Sequence, residues 1–445
     1  MLLIRRFTLS LETSLARAWR PAFVLACACI ALFLAPSWAR AEMALEFTTE
    51  GVRQIPIAIL PFQGEDQLPG TLTSVFTADL QRSGLFRPVD VSSGVNPIPT
   101  DPSQLHFPDW RAKHAEHIAL GAVTHLPDGR LQVHFVLVDA VKETTRIAFT
   151  YVFQANQVRT TAHRIADAIY ENLTGERGVF STRIAYVLKG GGRFQLKVAE
   201  ADASNEQTVL ASKEPIISPK WSPDGTRIAY VSFELKRPTV VVQNLATGNR
   251  KVVANFKGNN SAPAWSPDGK HLAVTLSRDG IAQIYIIDAE GAEPPRRIMN
   301  SRSIDTEACF TPDGLSLVFT SDRGGAPQIY KVGIDGSNPQ RLTFNGTYNV
   351  SPRLSPDGRH MVFIQQSGGA FRVMLQDLGS GQVQVLTDNE LDESPTFSPN
   401  GRMILYATRV NGRGVLALVS ADGRVRQRFT TQAGDVNEPA WGPLP

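Results

Sequence analysis

The stretch KWSPDGTRIAYVS, Lys220–Ser232, is followed by a close copy, AWSPDGKHLAVTL, at Ala264–Leu276. In Ser-Pro-Asp-Gly the proline presets φ at the second turn position, Asp suits the third, and Gly accepts the positive φ that ends the corner. An apolar run follows each corner, so the unit reads as the turn of a hairpin. It recurs at a fixed step: WSPDG at Trp221 and Trp265, FTPDG at Phe310, LSPDG at Leu354, FSPNG at Phe397 and WGP at Trp441, separated by 44, 45, 44, 43 and 44 residues. A period of this size with several short strands per unit is the signature of propeller blades.

Each unit holds the parts of a four-stranded sheet. After the corner come an apolar strand such as RIAYVS or SLVFTS, a polar loop, a second strand such as QIYIIDAEG, and a third like QRLTF. Strands that end in a corner close at Trp221, Trp265, Phe310, Leu354, Phe397 and Trp441, and strands that follow lie near Ile184, Ile228, Leu272, Leu317, Met361 and Ile404. The first follower has no corner before it and the last corner has no follower. The C-terminal strand is therefore expected to complete the first blade, closing a six-bladed ring without a free edge. This turn role accounts for the corner aspartates, and no catalysis is assigned to them.

Residues 42–178 lack the repeat and read as a small α/β domain ahead of a propeller at 179–445. IPIAILPF is a buried strand, LTSVFTADLQRSG a helix ended by Gly84, and AEHIALGAV, LQVHFVLVDA and RIAFTYVFQ are strands. QVRTTAHRIADAIYENLTG closes the segment as an amphipathic helix with Gly175 at its end. Six of the eight histidines fall here, including His114 and His117, but none stands at metal-site spacing from a carboxylate or thiol.

Residues 1–41 join a basic start, the apolar run PAFVLACACIALFLAP and Ala39-Arg40-Ala41, the pattern of a secretory signal cut between Ala41 and Glu42. A retained anchor would need a longer apolar run than Pro36, Ser37 and Trp38 permit. A lipoprotein reading at Cys27 finds too little apolar chain ahead of it. Removing the segment takes away five Arg and one Glu, leaving 40 basic and 41 acidic residues, about −1 net. Charge thus gives no reason to expect nucleic acid as a partner. Cys27 and Cys29 leave too, so Cys309 remains alone and reads as a packed, inert thiol.

There is no Gly-x-Ser-x-Gly elbow, no His-Glu-x-x-His, no phosphate-binding Gly loop and no EF-hand pattern. What remains is a surface. The loops entering the innermost strands carry Asn260 and Ala262, then Asp305, Thr306 and Glu307, then Asn349, Asp392, Glu393 and Glu438. They are expected to form an acidic and amide ring at the pore mouth, inside a basic rim that includes Lys236, Arg278, Arg323 and Arg409. Such a face suits a protein or peptide ligand of mixed charge. Its acidic positions could also hold a cation such as Ca2+, which takes several oxygen ligands. Two rival classes stay open: an envelope enzyme using Asp305, Glu307, Asp392 and Glu393 as acid/base groups, or a carbohydrate-binding module, for which Tyr348 is the main aromatic near the mouth.

The signal ending SWARAEMALEF, the segments IAILPFQG, FTADLQRSGLF and GAVTHLPDGRLQVHFVLVD, the junction LTGERGVFSTRIAYV, and blades reading SAPAWSPDGKHLAV, TSDRGGAPQIYKV and LDESPTFSPNGRMILY resemble the TolB family, the periplasmic component of the Tol-Pal envelope system. The resemblance spans the mature chain and keeps the order of both domains. It implies a non-enzymatic periplasmic adaptor without a resident cofactor, which binds the lipoprotein Pal on the propeller face and TolA through the mature N-terminal segment; the closed ring itself favours a monomer. It also implies a role in outer-membrane integrity and in envelope constriction at cell division. Carried onto this chain, the Pal-facing positions include Asn259, Asn260, Ala262, Thr306 and Glu307, with Asn259 standing where the family pattern has His. The TolA segment is Glu42, Met43, Ala44, Leu45, Glu46, Phe47, Thr48 and Thr49, whose apolar–polar alternation suits a strand that docks or swings free.

Overall fold

Five corners fold as the turn chemistry requires. Gly225, Gly269, Gly314, Gly358 and Gly401 hold φ between 66° and 73°. Each donates its N–H to the Ser or Thr carbonyl three residues back at 2.8–2.9 Å, and the corner Asp or Asn accepts from that residue's hydroxyl. The computed structural model describes residues 44–445 apart from 50, 52, 92–96 and 432. The expected signal peptide, its cleavage site at Ala41 and Glu42, and Met43 lie outside the described residues.

Each corner joins an innermost strand to its antiparallel neighbour, and six such sheets form a six-bladed propeller. The innermost strands of blades two to six are Ile216–Trp221, Asn260–Trp265, Asp305–Phe310, Asn349–Leu354 and Glu393–Phe397. Blade one takes Arg183–Gly190, Arg193–Glu200 and Gln207–Ser212 from the start of the ring and Asp435–Trp441 from the end of the chain. Val436 pairs with Leu188 and Trp441 with Ile184, so closure by the C-terminal strand is as expected. Neighbouring blades are pinned at the corners. The Trp221 indole donates to the Ala440 carbonyl at 3.2 Å and Trp265 to that of Lys220 at 3.0 Å. Arg183 and Arg227 lie over those rings, 4.9 and 4.7 Å from the centroids.

Ahead of the propeller stands the α/β domain. Its strands are β2 (Ile55–Ile59), β3 (Phe86–Val89), β4 (His117–His125), β5 (Leu131–Asp139) and β6 (Thr144–Phe153), β1 being the segment Ala44–Thr49. The sheet order is β3-β2-β4-β5-β6, with β2 parallel to β3 and β4 and the rest antiparallel. Side chains alternate across it. Ile57, Phe135 and Leu137 pack under helices α1 (Leu72–Arg82) and α3 (Val158–Thr174), while Ala58, Leu60, Ile118 and Val136 face the short helix α2 (Phe107–Ala112) through Trp110. Gly175 caps α3 in the left-handed conformation, φ 78°. Two elements lie beyond the expected set: β3, whose Pro88 argues against a strand, and α2.

The domain sits on the corner face of blades one and six. Asn400, in the blade-six corner, donates to the Arg177 carbonyl at 2.8 Å, and Arg402 pairs with Glu176. The turn after Glu200 in blade one meets α1 and α3 through a charged cluster that no local motif announced. His163 of α3, 1% exposed, contacts Asp79 Oδ2 of α1 through Nδ1 at 2.6 Å and Glu200 Oε2 through Nε2 at 3.1 Å. Arg159 reaches Glu200 at 2.8 Å and also Asp202, which Arg82 approaches at 3.4 Å. Burial opposes the charge on His163, but hydrogen bonds to Asp79 and Glu200 and the charges of Asp79 and Asp202 outweigh it and push the imidazole up to about 10. Burial likewise opposes the charge on Glu200, yet His163, Asn205 and Ser204 hold its carboxyl down at about 2. His163, Glu200 and Asp202 are also close enough to resemble a metal set. Arg82 and Arg159 already supply the positive charge there, so the cluster is an ion-pair network.

Candidate protein-binding site

On the face away from the α/β domain, each innermost strand begins beside the central channel. Near its start each carries the same irregularity. Ser218, Ala262, Glu307, Ser351, Ser394 and Glu438 all hold φ between 48° and 56°, and the pairing register slips beside every one of them. They are six equivalent β-bulges, one per blade, a device that re-aims side chains at a sheet edge. A left-handed φ is uncommon for residues other than glycine, so the geometry is imposed by the ring.

Two of the six bulges carry carboxylates, and both bind across to a neighbouring blade. Glu307 Oε2 accepts from the Ser351 N–H at 2.9 Å and from Thr320 Oγ1 at 3.1 Å, while its Oε1 accepts from Ser351 Oγ at 2.9 Å. Glu438 Oε2 accepts from the Ser218 N–H at 3.1 Å and lies 3.5 Å from Ser394 Oγ. Thr306 sits beside Glu307 with its hydroxyl 3.2 Å from that of Thr275. Asn259 donates to Ser261 Oγ at 2.7 Å. Thr306, Glu307, Asn259 and Ala262 are half-buried, and Glu393 is exposed.

The expected ring needs correction at four positions. Asn260, Asp305, Asn349 and Asp392 are at most 2% exposed, because each turns back to brace the loop or strand behind it. Asn260 accepts from the Phe256 N–H at 2.9 Å and donates to that residue's carbonyl at 2.8 Å. Asn349 donates to the Asn345 carbonyl and to Gln328, at 2.8 and 2.9 Å. Asp305 takes a 2.9 Å ion pair from Arg323, and Asp392 accepts from Thr387. Burial pushes the Asp392 carboxyl up against the hydrogen bonds that favour its ionised form. The basic rim changes with them, since Arg323 turns inward over Phe319 and Tyr330 and Lys236 pairs with Glu214. Tyr348 packs edge-on against Phe371, centroids 6.2 Å apart.

Deeper in the channel, the residues just before the first residue of each corner repeat are Lys220, Ala264, Cys309, Arg353, Thr396 and Ala440. Burial and the nearby Arg353 lower the Lys220 ammonium to about 7, against the pull of Glu438 and Glu307. Cys309 is free and buried, and burial raises its thiol, the setting of a packed thiol. Among the described residues, the mouth acids do not converge into a set of three that could ligate one ion.

The segment expected to meet TolA lies elsewhere. β1 pairs antiparallel with Val425–Thr430, the outermost strand of blade six, from Ala44 opposite Thr430 to Thr49 opposite Val425. It makes that blade five-stranded. The attachment is a main-chain ladder on a sheet edge, the kind of contact another strand can replace.

A family model described as the TolB beta propeller domain matches residues 170–445, and one described as the TolB amino-terminal domain matches residues 43–146. The chain is 52% identical over 416 residues to the Tol-Pal system protein TolB of Nitrosospira multiformis, covering 93% of this chain and 94% of that one. It is 49% identical to the Bordetella avium protein of the same name, covering 93% of each. The crystal structure of TolB from Acinetobacter baumannii superposes with a TM-score of 0.83 at 41% identity, over 91% of this chain and 100% of that one. Among the described residues no helix is long and apolar enough to cross a membrane.

Proposed function

The chain belongs to the TolB family of Tol-Pal system proteins, and from that membership and the placement of its two surfaces we propose that it is a non-catalytic periplasmic adaptor. It binds Pal at the bulge-lined mouth and TolA through Glu42–Thr49, and so helps maintain the outer membrane and its constriction at division. The observation that carries the reading is the separation of the two surfaces. The mouth with Asn259, Ala262, Thr306, Glu307 and Glu438 lies on the face opposite the α/β domain, while β1 rides the outer edge of blade six. Each remains accessible when the other is occupied. Three of the four acids an enzyme would use are engaged in structural contacts, Asp305 with Arg323, Glu307 with Ser351 and Asp392 with Thr387, while Glu393 is exposed.

Because β1 is held by an edge ladder, docked and released states are both available to it. Pal can favour one of them only by binding the two states with different affinity. Deleting Glu42–Thr49 is expected to abolish TolA binding, measured by surface plasmon resonance on immobilised TolA, and to leave the affinity for Pal within about twofold, less than 0.5 kcal/mol. Loss of both partners, or retention of TolA binding, would overturn this division of labour.

A further inference from the structure

Where the α/β domain meets blades one and six, packing leaves a cavity of about 300 Å3. Its walls come from both domains: Tyr170 of α3, Phe180 just beyond it, Met403, Leu418 and Val425 of blade six, and Trp441 of the closing strand. The volume stands at the low end of the roughly 300–1,000 Å3 usual for small-molecule sites, which favour domain seams and mostly apolar walls.

The polar groups around it are nearly all engaged. Arg402 is paired with Glu176, and Arg82 with Asp79 and Asp202. Gln427 donates to the Arg82 carbonyl, and Ser83 Oγ to that of Leu80. Ser420 Oγ donates to Asp422 and accepts the Val425 N–H, while the Trp441 indole donates to Thr182 at 2.8 Å. An ionised guest would find no free counter-charge among these groups and would lose its hydration on entry. Tyr170 is the exception. Its ring is 6% exposed, it packs edge-on against Phe180 with centroids 5.6 Å apart, and its hydroxyl makes no hydrogen bond to any described residue. That hydroxyl is accessible within a mostly apolar cavity, and is the polar group a guest can engage.

We propose that this cavity is a binding site for a neutral, flat aromatic molecule of two- to three-ring size, with one polar group that bonds the Tyr170 hydroxyl. The ring faces of Tyr170, Phe180 and Trp441 supply stacking surface, and Met403, Leu418 and Val425 fill the remaining wall. The site is distinct from the mouth and from the edge that carries β1, although Val425 and Gln427 of that edge strand line it from within. A guest would therefore touch both domains at once and favour the joined arrangement.

The probe is N-phenyl-1-naphthylamine, a neutral aromatic amine whose fluorescence rises in apolar surroundings, titrated into the chain from Glu42 to Pro445. Saturable binding at one site per chain is expected. Tyr170→Phe should weaken it about 3- to 10-fold, the loss of one hydrogen bond. Ala421→Phe and Ala201→Phe, which fill the cavity from two sides, should each reduce it more than tenfold while leaving the thermal midpoint within a few degrees. Phe149→Ser removes an aromatic of edge strand β6 that is 45% exposed and does not line the cavity, and should leave binding unchanged. Absence of binding by the unaltered chain, undiminished binding in both filled variants, or loss in Phe149→Ser would each overturn the proposal.

Discussion

Replacing His163 by leucine is expected to destabilise the chain by about 3–5 kcal/mol, the usual result of removing one partner of a buried ion pair. Asp79, fully buried, would keep only Arg82, and Glu200 only Arg159 as charged partners. The loss should depend on pH in a definite direction. The folded-state imidazole titrates near 10 against an ordinary 6.5. Its contribution is therefore complete below pH 6.5 and disappears as pH rises towards 10. Glu200, held near 2 against an ordinary 4.5, contributes fully above pH 4.5 and loses its share as pH falls towards 2. Thermal melts followed by circular dichroism should show the unaltered chain losing stability from pH 6.5 to 10 while His163→Leu changes less, so that the two curves converge. Parallel curves across that range would mean that the imidazole is not charged at the seam.

Truncating the chain after Gly434 should have a larger effect still. The innermost strand of blade one would be missing, leaving Ile184–Leu188, almost fully buried in the closed ring, as an open edge. Val436, Ala440 and Trp441 together represent about 5 kcal/mol of apolar burial, a large part of the 5–15 kcal/mol by which a domain is typically stable. The hydrogen bonds from Trp221 to Ala440 and from Trp441 to Thr182 also disappear. The expected product aggregates or melts without a cooperative transition. A sharp transition within a few degrees of that of the full chain would contradict closure by the terminal strand.

The blades and their closure were legible because the corner chemistry is local and repeats. Proline, aspartate and glycine at fixed offsets define one turn, and an excess corner at one end matched by an excess strand at the other implies the closing pair. The helices ending at Gly84 and Gly175 were legible for the same reason. The polar ring was read only in part. Asn260 and Asp305 occupy strand starts where the same residue types serve equally well facing solvent or folded back onto their own loops. The sequence does not distinguish those orientations, whereas the structure places both inside. The bulges at Ala262 and Glu307 have no residue signature, since the left-handed φ comes from ring geometry rather than from glycine. His163 meets carboxylates 84 and 37 residues away in sequence, a separation at which spacing rules are silent. Strand β3 was hidden by Pro88, which is tolerated because β3 is the edge of its sheet.

The claim on which the rest depends is that the bulge-lined mouth is the Pal surface. Calorimetric titration of the chain from Glu42 to Pro445 with soluble Pal from the same organism tests it, with Glu307→Lys and Thr306→Ile measured alongside. Glu307→Lys removes the carboxylate that bridges Glu307 to Ser351 and reverses a charge at the mouth, and Thr306→Ile replaces the neighbouring hydroxyl. Saturable binding by the unaltered chain is expected, falling at least tenfold in each variant, with thermal melts of the variants separating loss of binding from loss of fold. No binding by the unaltered chain, or undiminished binding by both folded variants, would contradict it.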